Sequence, residues 1–427
     1  MILKGVKTLN LFKQTVVILS TLMLLTSCGV EEKLDAKQKK HVEGKPKKLI
    51  IWEEKGKGVA LEPAMKSFEQ KYGIKVEYKE LELSAEMKEK IRLDGPAGTG
   101  PDILTLPHDQ VGQLALEGMI SPIKVNEKTL NAFTKQAVES QKYDSQLYGL
   151  PKAIETPIFL YNKKLMKTPP KTMDDLYEFS IKNQKKNQYG FLASWDNLYF
   201  ANAVLTGMGG YIFERENDRL NPFNIGLNNG GAIKGAAYIQ KWYQEGLFPK
   251  GIIGENGVST LEGLFAEGKV ASVMSGPWAF QSFKEAGITL GASKLPNLPN
   301  GQPMKTFIGV KGWSVNSFSK YKKWSTKLIE HLTNYENAKI RYEKTEEIPP
   351  VLAFLNDPLI QQNEKAKAIV EQAKVSQPMP NSPEMNEVWG PMNTALQLIA
   401  NSKQKPKEAL TEAVETIQNQ IKANHGN

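Results

Sequence analysis

A chain of 427 residues with 40% hydrophobic and 24% charged residues has room for about two or three ordinary domains and is too apolar to be mostly disordered. No window offers the roughly 20 consecutive apolar residues of a spanning helix, which excludes a multi-pass transporter. The single Cys excludes an internal disulfide, a thiolate zinc site and an iron–sulfur cluster. The formal charge of +9 is spread along the chain rather than clustered beside aromatics, which argues against nucleic acid as a partner and suits a protein near an anionic cell surface.

In chain order, Lys4, Lys7 and Lys13 precede an apolar run over 16–25 and then Thr26-Ser27-Cys28-Gly29. The run is too short for a membrane anchor and ends in small residues, so 1–27 reads as a secretion signal. Leu25-Thr26-Ser27-Cys28 resembles the lipobox of bacterial lipoproteins, which implies cleavage before Cys28 and a lipid on its sulfur. Residues 28–47 are charged and nearly free of large apolar side chains, a solvated tether. A lipid-anchored, extracytoplasmic protein of the Gram-positive-type cell surface is expected.

From residue 49, short apolar runs alternate with amphipathic stretches. Leu49-Ile50-Ile51-Trp52 reads as a buried parallel strand. Leu61, Ala64, Met65, Phe68 and Tyr72 recur at helical spacing, with Gly73 as the left-handed stop. The cycle repeats through a strand over 74–81, a helix near 84–93, a turn holding Gly95, Gly98 and Gly100, a strand over 102–106 and a helix from Asp109 to Gly118. Thr172-Met173-Asp174-Asp175 and Ser259-Thr260-Leu261-Glu262 read as capping boxes opening helices in a second α/β region. A strand over 270–274 precedes Pro277, and helical periodicity dominates 363–375, 386–401 and 405–423. About 380 ordered residues divide naturally into two α/β lobes.

The usual catalytic templates are missing: no G-x-S-x-G elbow, H-E-x-x-H or P-loop, and the four histidines have no metal-ligand spacing. No metal or cofactor is expected. His41 and His425 lie in expected tails and His331 on a basic helix flank, which leaves His108 as the one in a promising place. A carboxylate pair, Asp109 with Glu155, keeps a surface glycoside hydrolase open as an alternative.

The order and spacing of several short motifs carry a resemblance. They include Lys48-Leu49-Ile50-Ile51-Trp52, Phe68-Glu69-Gln70-Lys71-Tyr72-Gly73, Gly100-Pro101-Asp102-Ile103, Ile158-Phe159-Leu160-Tyr161-Asn162-Lys163, Ser275-Gly276-Pro277-Trp278 and Met379-Pro380-Asn381 before Trp389. In this order the chain resembles the sugar-binding family of bacterial extracellular solute-binding proteins, most closely the maltose/maltodextrin-binding proteins of ABC importers. The resemblance implies an α/β, two-lobe periplasmic-binding-protein-like fold with a hinge and an interlobe ligand cleft. Lobe 1 would take 48–154 plus 311–356, and lobe 2 158–306 plus 357–427. It also implies a binding protein rather than an enzyme, a monomer that closes on a maltodextrin-type oligosaccharide and delivers it to the membrane permease subunits.

Pyranose rings present C–H faces that pack on aromatic planes and hydroxyls that need carboxylates and amides. By the resemblance, polar contacts fall on Lys57, Asp109 and Glu155, aromatic contacts on Tyr199, Trp278 and Trp389, and two altered polar contacts on Glu54 and Asn197. Trp195 or Phe200 competes with Tyr199 as the stacking face, whereas Trp242 and Trp324 read as packing. Asp109 has an alternative as a helix N-cap, and Trp389 as core. Leu106 stands where the maltose pattern has a Trp, Gln110 and Asn393 where it has Arg, and Gly390 where it has Tyr. A thinner stacking platform makes a different oligosaccharide the alternative ligand.

Overall fold

The computed structural model describes residues 44–83, 86–184, 188–216 and 219–426. The signal, Cys28 with its expected lipid, and most of the tether lie outside these residues. No helix among the described residues is long and apolar enough to cross a membrane.

Local sequence builds the elements as expected where periodicity is strong. The helix Glu62–Tyr72 buries Ala64 and Phe68 and ends at Gly73, whose φ of 61° lets its N–H bond Glu69 O at 2.6 Å. Thr172 caps the helix Met173–Asn183: its Oγ accepts from Asp175 N (3.1 Å) and donates to the Asp175 carboxylate (2.7 Å). The second expected capping box is not one. The helix Gly257–Ala266 starts two residues before Ser259, because Asp196 holds Gly254 N at 2.7 Å and Gly254 O receives Gly257 N. His425 is likewise not in a tail; it closes the helix Pro406–His425 and pairs with Glu387 at 3.0 Å.

Two sheets organise the molecule. In the seven-stranded sheet, Lys48–Glu54 pairs in parallel with Lys75–Leu81 and Ile103–Pro107, and the long strand Phe307–Asn316 runs antiparallel to Ile103–Pro107 and to Gly149–Glu155. The four-stranded sheet has the order Leu290–Ser293, Ile158–Asn162, Val270–Ser275, Tyr189–Leu192. The register between the long strand and Gly149–Glu155 skips one residue: Lys311 faces Ala153 and Gly312 faces Pro151. Lys152 is the extra residue, and the bulge re-aims its side chain into the interior, where it is 0% exposed.

The chain crosses between the sheets at Thr156-Pro157 and again between Ser293 and Phe307. A third passage follows the helix Glu364–Ala373, where Gln377–Pro378 pairs with the start of the long strand. Buried polar groups tie the three together. Thr156 and Thr306 share a hydroxyl bond of 2.6 Å, Thr306 and Ser376 another of 2.6 Å, and Gln372 Nε2 donates to Met304 O at 2.8 Å. Hydroxyl and amide bonds of this kind satisfy buried donors while permitting small rotations, which is what a hinge between two lobes requires.

Candidate functional site

The acidic side of the site grows from strand ends of the seven-stranded sheet. Asp109 follows Ile103–Pro107 in the single 3₁₀ turn His108–Gln110 and is exposed. It caps nothing: Gln110 precedes the helix Val111–Leu116, so the N-cap alternative does not apply. The turn is pinned by buried His108, whose Nδ1 accepts from Val310 N (3.1 Å) and whose Nε2 donates to Met379 O (3.1 Å). Both ring nitrogens are thus committed to backbone, and the ring positions Asp109 rather than serving as a base.

Burial pushes the His108 pKa below its ordinary 6.5, against the pull of Asp109 and its two backbone partners. An unfolded chain then takes up this proton first, so the stability that neutral His108 gives above about pH 6.5 is lost as the pH falls below that value. The thermal midpoint is expected to drop more between pH 7.5 and 5.5 in the wild type than in His108→Gln. Equal slopes would remove His108 as the source.

Glu155 ends the strand Gly149–Glu155, opposite Gly309. A Cβ on Gly309 would lie 3.0 Å from Glu155 Cγ, so glycine leaves the seat that this carboxylate occupies. Glu54 ends Lys48–Glu54, and its backbone O receives Lys57 N at 3.0 Å across a tight turn in which Gly56 takes φ 78°. Lys57 reaches Thr345 O at 3.4 Å. The cluster is completed by residues that the sequence did not single out. Lys311 Nζ lies 2.9 Å and 3.1 Å from the two Glu54 oxygens, 3.4 Å from Glu155 and 3.9 Å from Glu347. Burial of Glu347 opposes its charge, but Lys152, Lys311, Lys57 and Arg341 hold its pKa down to about 2.

The aromatic side comes, apart from Phe307 of the long strand, from elements outside the seven-stranded sheet. Tyr199 lies in the first turn of the helix Leu198–Gly207. Asn197 caps that helix through Tyr199 N (2.9 Å), and Asn393 reaches across to accept Leu198 N (2.8 Å). Asn393 belongs to the helix Asn386–Ala400, which also carries half-buried Trp389. Trp278, 42% exposed, follows Pro277 and folds back over Gly276, where a Cβ would collide with the indole. Its Nε1 donates to Glu262 at 3.2 Å, and the same carboxylate oxygen accepts from Ser275 at 2.6 Å. Glu262, expected to cap a helix, instead orients this indole.

Ring contacts join the three candidates. Trp278 lies 6.2 Å from Tyr199, Tyr199 lies 6.1 Å from Phe307, and Phe307 lies 5.9 Å from Trp389. Phe307, 3% exposed, is a floor that the sequence reading missed. Phe307 opens the long strand whose Gly309 faces Glu155, so the foot of the aromatic run lies two residues along that strand from the seat of this carboxylate. Trp195 and Trp242 are 0% exposed, so neither offers a face to solvent. Phe200 is buried behind Tyr199 and Trp278, at 5.1 Å and 6.5 Å. Leu106 is 0% exposed, Gly390 is exposed, and Gln110 Oε1 is buried without a hydrogen-bond partner.

Comparison with known proteins agrees with this architecture. The family model described as bacterial extracellular solute-binding protein matches residues 63–368. The galactooligosaccharide-binding protein of Bacillus subtilis (strain 168) is 46% identical over 404 residues, 94% of this chain and 95% of that protein. The maltooligosaccharide ABC transporter solute-binding lipoprotein of Streptococcus pneumoniae (strain ATCC BAA-255 / R6) is 32% identical over 413 residues, 95% of each. A cyclo/maltodextrin-binding protein solved with maltotetraose matches with a TM-score of 0.85 at 39% identity, covering 90% of this chain and 99% of that one.

Proposed function

The chain belongs to the bacterial extracellular solute-binding proteins, and from that premise we propose that it is the oligosaccharide-binding component of an ABC importer, anchored to the cell membrane through Cys28. The proteins it resembles bind solutes; it is not an enzyme. One observation carries the choice of ligand class: a continuous run of rings, Trp278, Tyr199, Phe307 and Trp389, whose Phe307 opens the strand that seats Glu155 opposite Gly309. Rings that meet C–H faces beside acceptors that meet hydroxyls are what a sugar requires. Asp109, Lys57, Glu54 and Asn197 complete the proposed contacts.

Lobe 1 is taken as 48–154 plus 311–356 and lobe 2 as 158–306 plus 357–427. Ligand that touches both favours the closed state, which a permease then recognises. As a monomer the protein needs no partner copy for this.

Two features favour a galactooligosaccharide over a maltodextrin. The galactooligosaccharide-binding relative is 46% identical, and the maltose-type stacking position is the fully buried Leu106. Maltodextrin is the second reading, favoured by the retained Tyr199, Trp278 and Trp389. Isothermal titration of the full chain with galactotriose and maltotriose separates them. Saturable one-to-one binding of galactotriose at about micromolar strength, roughly −8 kcal/mol, without hydrolysis is expected. Tighter binding of maltotriose would select the second reading, and no binding of either would overturn both.

A further inference from the structure

We infer that Lys311 is a positioning residue for the acidic wall of the cleft: its ammonium, set between Glu54 and Glu155, holds the two carboxylates side by side as acceptors for sugar hydroxyls. The inference rests on the proposed function of those two glutamates as ligand contacts.

Glu54 and Glu155 stand at the ends of strands that do not pair with each other; the first lies on Lys48–Glu54, the second on Gly149–Glu155. What bridges them is the long strand, from which Lys311 engages both Glu54 oxygens and one Glu155 oxygen. The lysine is 14% exposed at its side chain and Glu155 35%, so the cation sits behind and the acceptor in front. Glu155 keeps its other oxygen for a ligand, and the cation supplies the charge balance that lets two acids converge. Burial disfavours the ammonium, but Glu155, Glu347 and Glu54 together raise its pKa above the ordinary lysine range.

Every charged neighbour matters to the consequence. Around Lys311 stand Glu54, Glu155 and Glu347; Lys152 lies 3.8 Å from Glu347, Lys57 and Arg341 also act on it, and His108 feels both Glu155 and Asp109. Without Lys311, Lys152, Lys57 and Arg341 still act on Glu347, but Glu54 and Glu155 lose the ammonium between them, and the uncompensated pair binds a proton as the pH falls. A protonated cluster is a poorer hydroxyl acceptor, so sugar affinity becomes pH-dependent.

The test is isothermal titration of the full chain between pH 5.5 and 8, using whichever of galactotriose and maltotriose the wild type binds. Wild-type affinity is expected to be flat. Lys311→Met should bind at least about tenfold more weakly at pH 5.5 than at pH 8, the slope of one proton being at most tenfold per pH unit. Lys311→Arg should restore the flat profile, and adding Glu54→Gln to Lys311→Met should reduce the slope. Lys311→Gln carries the same test if the Met variant does not fold. A flat profile in the Met or Gln variant, or a slope that Arg does not remove, overturns the inference alone. A wild type that binds neither sugar overturns the functional reading and this inference with it.

Discussion

Lys152→Met is expected to cost about 3–5 kcal/mol of folding free energy, because it removes one partner of a buried ion pair and strands the other. Lys152 is 0% exposed and Glu53 1%, and their charged atoms are 2.5 Å apart. Glu53 also accepts from Thr105 Oγ1 (2.7 Å), Glu54 N (2.7 Å) and Trp313 Nε1 (3.2 Å). Those neutral donors remain in the variant, but the nearest cation is gone. Glu347, 3.8 Å from the same ammonium, loses part of what holds its pKa near 2. Because that pKa lies below the ordinary 4.5, Glu347 gives stability that is present above about pH 4.5 and is lost as the pH falls toward 2. Urea unfolding at pH 7 of the wild type, Lys152→Met, Glu53→Gln and the double variant measures the coupling. The double variant should recover much of the loss, since removing both charges leaves none uncompensated. Additive losses would show that Lys152 stabilises through packing against Trp313, whose ring centre is 5.3 Å from Nζ, and not through charge.

What was legible in the sequence follows from the range over which each signal acts. The helix Glu62–Tyr72 and its Gly73 stop are local, set by side chains three and four apart and by one positive φ. The Thr172 cap is local too. Ser259-Thr260-Leu261-Glu262 had the same letters but a different fate, because Asp196 fixes the preceding loop and Trp278 and Ser275 claim the glutamate. Lys311 and Phe307 had no local mark at all. Lys311 is one of 55 Lys and Arg residues, and only strand pairing over long sequence separation brings it against Glu54, 257 residues away. Lys152 is buried by a one-residue bulge, which no period-two pattern announces. Of the six principal contacts proposed from the family resemblance, ring contacts through Phe307 link Tyr199, Trp278 and Trp389, and the Lys311 cluster takes in Glu155, whereas Asp109 and Lys57 stand outside both sets of contacts.

Two tryptophan truncations should separate a ligand face from a core face. Trp389→Ala is expected to weaken sugar binding by about 30-fold or more, the roughly 2 kcal/mol of a large ring at a binding hot spot, with cooperative unfolding retained. Its indole is half-buried and leans on Phe307, so its removal opens the site without hollowing the lobe. Trp195→Ala should do the reverse. That ring is 0% exposed among Phe191, Tyr238, Trp242 and Phe248, and its loss should cost about 3–5 kcal/mol of stability while changing affinity by less than about threefold. If Trp195→Ala lost affinity at unchanged stability, the stacking face would lie on that side of Tyr199 instead. Coupling supplies a sharper check. Tyr199 and Trp389 share the Phe307 ring, and Asn393 ties the helix of one to the first turn of the other. Truncating both should therefore cost less affinity than the sum of the single losses, by about 0.5 kcal/mol or more. Strict additivity would mean that the two rings serve independent sugar units and that Phe307 transmits nothing between them.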